Sequence, residues 1–185
     1  MKMQCLATTL ALAAFAATAD DADALKTDAT HTVSAFKKAD SGLAPFFEKS
    51  AGSAVFPDVG KGGFVVGGAR GKGVVYQKDK AIGQATLTQA SIGAQAGGQS
   101  FAEIIFFETP EALADFTKGK FEMSADVSAV VAAEGAAKSA RYKGGVAVFT
   151  MPKKGLMVQA SVGGQKFKFQ PELQPTGRPD SKDEK

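Results

Sequence analysis

Glycine is unusually dense in the centre of this chain. Eleven of the 41 residues at 60–100 are glycine, yet the stretch is too rich in Val, Ile, Phe and Tyr to be a flexible linker. Glycine inside a strand weakens it and is typical of bulges, tight bends or close backbone approach. Short strands bent at glycines predict an α+β fold with a strongly curved, barrel-like antiparallel sheet.

Strands are predicted where β-branched and aromatic residues lie between turn signals. In the first half of the sheet they fall at 64–69, 73–78, 81–89, 91–96 and 99–107, and Lys78-Asp79-Lys80 is a hairpin tip. From 121 to 131, six apolar residues alternate with polar ones, which predicts a half-buried strand. Further strands are predicted at 144–151, 155–162 and 165–169, the last after a Gly163-Gly164 turn.

Two helical regions accompany the predicted strands. In the first, at 25–50, apolar residues recur at helical spacing up to Phe36, and Asp40-Ser41-Gly42 ends this helix and caps a shorter one. The second is a helix inserted after 99–107, where Thr109-Pro110 supplies an N-cap and a first-turn proline and Gly119 ends the helix. The N-terminal helix is amphipathic, so it either covers one face of the sheet or lies on a membrane surface.

The N-terminus has the pattern of a secretory signal. A short basic start precedes an apolar run at 5–16 and the cleavage motif Ala17-Thr18-Ala19. The run is too short to span a membrane, and Cys5 lies far from the cleavage point that a lipid anchor would use. We therefore predict a signal peptide at 1–19, an amphipathic helical segment at 20–42, one folded domain at 43–170 and a disordered tail at 171–185. The protein would be exported to the periplasm or the extracellular space, where it could be peripheral on a membrane.

Several classes of chemistry lack the residues that they need. Cleavage would remove the one cysteine, and His31 is the one histidine, so neither a thiol nor a zinc site is expected. The run GGARGKG at 67–73 has neither the spacing of a phosphate-binding loop nor a following helix. Glu103 and Glu108 lie five residues apart on a predicted strand and point to opposite faces, which excludes a catalytic pair. A net charge of +3 does not require nucleic acid. We predict a protein that is not an enzyme and has no cofactor, metal or nucleic-acid partner.

Basic residues beside glycine turns form the candidate site. If those in the first half of the domain meet those in the second at one end of the sheet, they would bind phosphate headgroups, because Arg binds phosphate bidentately and Lys acts as a point charge. The alternative is a set of scattered, solvated lysines. The candidate headgroup-binding residues are Lys61, Arg70, Lys72, Lys153, Lys154, Lys166 and Lys168.

A series of segments between about residues 43 and 169 resembles the SYLF domain family. They are the sequences SAVFP at 53–57, GGFVVGG at 62–68, SIGAQAGGQ at 91–99, IIFF at 104–107, ALADF at 112–116 and GLM at 155–157. The resemblance implies a lipid-binding domain at 43–170. Eukaryotic members bind phosphoinositide-containing membranes, yeast members also bind and bundle actin, and exported bacterial members are described as lipid-binding. Actin enters only through this resemblance, and no Src-homology or zinc-finger module accompanies the domain here.

The sequence thus predicts an exported, non-enzymatic module that binds anionic phospholipid or a membrane surface. The basic residues would attract anionic headgroups, and the amphipathic N-terminal segment would add an apolar contact. The alternative is an envelope scaffold or an actin-binding-like module that binds another protein through a sheet edge or face. A hydrolase or transferase with an unfamiliar site is a third hypothesis.

Overall fold

The structure is a computed structural model of the 185-residue chain. It describes the backbone of residues 8–62, 66–92, 99–123, 127–154, 162 and 164–172, and the side chains of 20–60, 68–90, 100–123, 127–153, 162 and 164–172. The helices are α1 (Thr8–Ala39), α2 (Ala44–Lys49) and α3 (Pro110–Thr117), with 3₁₀ turns at Ser41–Leu43 and Ala136–Ser139. The strands are β1 (Gly52–Gly62), β2 (Val66–Gln77), β3 (Lys80–Ile92), β4 (Gln99–Phe107), β5 (Ala129–Val131), β6 (Val146–Lys154) and β7 (Lys166–Pro171).

The described strands form one sheet in the order β5-β6-β4-β1-β2-β3-β7. The α+β class is confirmed, as are the N-terminal helices and the inserted helix α3. The sheet is mixed rather than wholly antiparallel, because β5 runs parallel to β6. The two edge strands, β5 and β7, are not paired with each other, so the predicted barrel-like shape is not confirmed.

Glycines inside the strands make room for neighbouring atoms instead of breaking the strands. A Cβ at Gly73 would lie 2.6 Å from Cδ1 of Phe56, and one at Gly71 would lie 2.8 Å from the carbonyl oxygen of Asp58. At Gly68 a Cβ would lie 3.1 Å from the carbonyl oxygen of Gln89. The glycine pattern therefore reflects close approach within long strands, and the predicted strong curvature is not confirmed. Two further glycines of the central glycine-dense stretch, Gly93 and Gly97, lie outside the described residues.

Each face of the sheet is covered by helix. On one side, the α3 face, Leu113 and Phe116 of α3 pack on a cluster that includes Phe56, Leu87 and Phe107. On the other side, the α1 face, α1 and α2 cover a cluster whose buried members include Val55, Val74, Ile104, Phe106 and Phe149. The domain is therefore a three-layer arrangement of helix, sheet and helix.

Helix α1 packs on the sheet through its predicted apolar stripe. Ala29 and Phe36 are fully buried, and Leu25 and Val33 pack against the same cluster. Of the two alternatives for this helix, the structure therefore favours coverage of the sheet over these positions. The helix begins at Thr8, within the predicted signal peptide, and cleavage after Ala19 stays a prediction. No helix among the described residues is both long and apolar enough to cross a membrane.

Strand β1 was not predicted as a strand, because Pro57 and three glycines interrupt its pattern. The register of β1 shifts between Val55 and Asp58 on the β2 side, and between Phe56 and Val59 on the β4 side. Proline lacks the N–H that a regular ladder needs, so a bulge at this point accommodates Pro57 inside a central strand. The strand then continues to Gly62.

The remaining strand predictions hold unevenly. Strand β4 and the hairpin tip at Lys78-Asp79 are confirmed, whereas β2 is one strand where two were predicted. The predicted strand at 121–131 was wrong over most of its described length: Glu122 forms an isolated bridge with Lys166, and β5 covers only 129–131. Its alternation instead reflects burial of Met123 and Val127 in the α3 face. The predicted strand at 155–162, apart from Val162, and the tail beyond Glu172 lie outside the described residues.

Candidate functional site

Four of the seven candidate basic residues lie together on one face of the sheet. Arg70 is paired with Thr88 and Thr88 with Lys166, while Lys72 is paired with Thr86 and Thr86 with Lys168. Residues directly opposite each other in adjacent strands share a face. Adjacent strands are about 4.8 Å apart and alternate residues in a strand about 6.7 Å apart. The Cα atoms of the four basic residues therefore lie at the corners of a patch of about 10 by 7 Å. We name these residues the basic face: Arg70, Lys72, Thr86, Thr88, Lys166 and Lys168.

The basic face lies beside the part of the sheet that α1 covers. Arg70 and Lys72 follow the same alternation as the buried Val74 of the α1 face, but they are exposed, as are Lys166 and Lys168. Within the described part of the chain, no ion pair involves Arg70, Lys72 or Lys168. The ammonium group of Lys166 lies 3.5 Å from Oε1 of Glu122, and both side chains are largely exposed. Such a surface pair contributes little, so it leaves the positive charge of the patch available.

The other three candidate residues are placed differently. Nζ of Lys153 lies 3.1 Å from Oδ2 of Asp58, whose strand partner is Lys72. Lys153 therefore balances the acidic residue at the border of the basic face. The backbones of Lys61 and Lys154 belong to β1 and β6, but their side chains lie outside the described residues.

A groove of about 330 Å³ runs beside α1 on the same side of the sheet. Lys37 lies above the ring of Phe47, with its Nζ 4.6 Å from the ring centre, and Tyr76 also lines the groove. Burial raises the pKa of Tyr76, although its hydrogen bond with Thr30 lowers it. The described lining residues include serines but neither histidine nor cysteine. Nor do the described residues contain a group of three or more His, Cys, Asp or Glu side chains that could hold a metal ion.

A buried polar cluster was missed by the sequence reasoning. Glu103 is fully buried in the α3 face, whereas Glu108 is exposed, so the two carboxylates are separated as predicted. The side chain of Gln165, also fully buried, donates from Nε2 to Oε2 of Glu103 at 3.0 Å. Burial raises the pKa of Glu103 and this hydrogen bond lowers it in part, so the net pKa is about 7. The available signal was an acid at an inward position of a strand that is otherwise apolar.

The fold and this surface define an α+β domain that presents a charged sheet face. Residues 88–174 match the Ysc84 family model, described as "Las17-binding protein actin regulator". The chain is also 30% identical over 135 residues to Beta cell expansion factor A of Aeromonas veronii, a match that covers 71% of this chain and 51% of that protein. The chain thus spans about half the length of this curated relative. The resemblance to the SYLF family is confirmed, and the chain belongs to that family.

The matched stretch covers only part of the basic face. It contains β4, α3, β6 and β7, and thus Lys166 and Lys168. Strands β1 and β2, with Arg70 and Lys72, precede it. The alignment of β7, which carries both lysines, with β2 is therefore a property of this sheet's register rather than of the family match alone.

Proposed function

We propose that this protein is an exported, non-enzymatic module that binds anionic phospholipid at a membrane surface through its basic face. The observation that carries the proposal is the placement of Arg70, Lys72, Lys166 and Lys168 in two adjacent cross-strand rows. Membership in the SYLF family supports the same function. Export is supported by the signal pattern at 1–19.

Electrostatic attraction provides most of the binding energy in this proposal. Each basic residue held near an anionic surface contributes about 1 kcal/mol. The net charge of the whole chain is only +3, so binding depends on the clustering of cations rather than on the total. The apolar residues of α1 from Leu25 to Phe36 pack on the sheet, so the basic face carries the contact without them.

Sedimentation with lipid vesicles tests this proposal. We expect the protein to sediment with vesicles that contain phosphatidylglycerol and much less with vesicles of phosphatidylcholine alone. Binding should weaken as salt rises from 0.1 M to 1 M, because the Debye length falls from about 10 Å to about 3 Å. The double variant Arg70→Gln, Lys72→Gln should lose about 2 kcal/mol, or roughly 30-fold in affinity for the anionic vesicles.

The matched control is the double variant Lys118→Gln, Lys120→Gln. These exposed lysines follow α3, in the layer that covers the opposite face of the sheet. The control removes the same charge and should bind anionic vesicles as the unmodified protein does. Equal losses in the two double variants would mean that total charge, not the basic face, governs binding. Equal sedimentation with neutral vesicles would contradict the electrostatic mechanism.

A second candidate function is protein binding, either as an envelope scaffold or as an actin-binding-like module. The observation that favours it is the description of the matched family as an actin regulator. Sedimentation with actin filaments in the absence of lipid tests the actin-binding form. Binding to filaments together with failure to bind any vesicle would favour this candidate over the lipid-binding function.

A further inference from the structure

Glu103 lies at the centre of the sheet with its side chain in the α3 face. Its strand neighbours are Phe56 on β1 and Thr150 on β6. Gln165, which immediately precedes β7, reaches the same place from the far edge of the sheet and donates to its carboxyl group. The exposed fractions of Glu103, Thr150 and Gln165 are 0%, 1% and 0%. The three polar side chains thus lie in the buried interior on the α3 face.

The hydrogen bonds within this cluster are incomplete. Oε1 of Glu103, Oγ1 of Thr150 and Oε1 of Gln165 are buried and have no hydrogen-bond partner among the described residues. If Glu103 is ionised, the two oxygens of the carboxyl and the amide only accept, and the Thr150 hydroxyl is the one donor among these three atoms. A proton on Oε1 of Glu103 supplies the missing donor. Buried polar atoms without partners are costly, so the cluster favours the protonated acid.

Among the residues whose side chains the structure describes, no charged group compensates the carboxyl group of Glu103. The described charged side chains on the two adjacent strands, Asp58 of β1 and Lys153 of β6, are exposed on the opposite side of the sheet. Lys166 and Lys168 of β7 are exposed on that side as well. The side chains of Lys61 and Lys154 lie outside the described residues. Over the α3 face, Asp115 and Glu122 are exposed as well. Burial accordingly raises the pKa of Glu103 to about 7, and the amide of Gln165 lowers it only in part.

We infer that Glu103, Thr150 and Gln165 form an internal proton-binding site that holds the start of β7 against the centre of the sheet. With the proton bound, the cluster gains the donor that its acceptor oxygens lack, and the buried carboxyl group carries no charge. When the proton leaves, the carboxylate requires water, and we expect the opening at Gly164 and Gln165, the described residues of the turn that precedes β7. That turn is held to the chain ahead of β5 by two backbone bonds, Met123 N–H to Gln165 O at 3.2 Å and Gly164 N–H to Met123 O at 2.9 Å.

Opening at this point would affect the other side of the sheet as well. β7 carries Lys166 and Lys168, two of the four cations of the basic face. Loss of the proton would therefore make β7, and with it two of the four basic side chains of the basic face, less firmly held to the sheet. The proton site itself does not depend on lipid binding, and only this consequence for the basic face rests on the proposed function.

The upward shift in the pKa of Glu103 determines how the stability of the fold depends on pH. The folded state holds the proton up to about pH 7, whereas the unfolded chain releases it near the ordinary value of 4.5. The stabilisation is therefore complete below pH 4.5, declines between 4.5 and 7, and is absent above that range. Asp40, whose pKa is lowered from 3.8, acts only below this window.

Urea unfolding of the protein and of its Glu103→Gln variant from pH 4.5 to 8 tests the inference. Gln keeps the size and hydrogen-bonding groups of Glu103 but cannot ionise. We expect the folding equilibrium constant of the variant, relative to the unmodified protein, to rise on the order of a hundredfold between pH 4.5 and 8. The control variant Glu108→Gln removes an exposed carboxylate at the end of the same strand and should follow the unmodified protein.

Two measurements on the unmodified protein decide the matter even if the variant does not fold. The carbon-13 resonance of the Glu103 carboxyl should titrate with a midpoint near 7, and a midpoint near 4.5 would overturn the inference. Amide hydrogen exchange in β7, corrected for its intrinsic pH dependence, should be faster at pH 8 than at pH 5.5, and unchanged protection would overturn the link to β7. Stabilisation by added calcium at pH 8, absent from Glu103→Gln, would replace the proton by a metal ion and also overturn it.

Discussion

Replacing Asp40 by alanine is expected to lower the free energy of unfolding by about 4 kcal/mol, because the change leaves three backbone N–H groups without a partner. Asp40 is 1% exposed. Its Oδ1 accepts from Gly42 at 2.9 Å and from Gly135 at 3.1 Å, and its Oδ2 accepts from Ala137 at 2.7 Å. One carboxylate thus caps the turn after α1 and anchors a segment nearly a hundred residues later in the chain.

The charge of Asp40 contributes to this effect. Burial raises the pKa of Asp40, but the three N–H groups and the nearby Lys138 lower it by a larger amount. The net shift of the pKa is therefore downward from 3.8. The stabilisation that Asp40 provides is therefore present at neutral pH and is lost as the pH falls through the lowered pKa.

Urea unfolding at pH 7 measures the loss of stability in Asp40→Ala. The control is Asp28→Ala, which removes an exposed acid on α1. A loss below 1 kcal/mol for Asp40→Ala would contradict the role assigned to these bonds. The variant Asp40→Asn should lose less stability than Asp40→Ala and more than Asp28→Ala, because its amide oxygen keeps one acceptor.

Valine at Gly73 should destabilise the protein by about 3 kcal/mol through overpacking. A Cβ at this position would lie 2.6 Å from Cδ1 of Phe56 and 2.6 Å from the carbonyl oxygen of Val55. Both contacts belong to β1, a central strand whose backbone is paired on both sides, so the strand cannot move away without loss of pairing. The thermal midpoint and the urea midpoint of Gly73→Val both measure the effect.

Gly60 provides the matched control for this substitution. It is exposed in β1, and a Cβ built there meets nothing within 4 Å. Gly60→Val should therefore leave stability within about 0.5 kcal/mol of the unmodified protein. If the two valine variants were equally stable, the glycines of the sheet would be interchangeable and the close approach at Phe56 would not matter.

Local chemistry was sufficient to predict several elements. Thr109 and Pro110 begin α3, and Thr109 Oγ1 accepts from the N–H of Ala112 at 3.2 Å, as an N-cap should. Gly119, with φ of 69°, follows the end of that helix in a conformation that glycine adopts readily. These features depend on residues within one or two turns of each other, so the sequence reports them directly.

The candidate site was predictable only in part. The alternation of Lys166 and Lys168 along one strand implies a shared face, and so does that of Arg70 and Lys72. That the two pairs lie on the same face depends on the registers of β2 with β3 and of β3 with β7. A shift of one residue in either register would have placed them on opposite sides.

By itself, the sequence determined the helices, the long strands other than β1, the helix caps, the hairpin tip and the family. The tertiary structure alone decided the bulge that keeps Pro57 within β1, the parallel pairing of β5 and the open order of the strands. It also brought Gln165 to Glu103 across 62 residues of chain. The physical reason is that propensity and capping act between near neighbours, whereas register and burial are set by contacts between segments far apart in sequence.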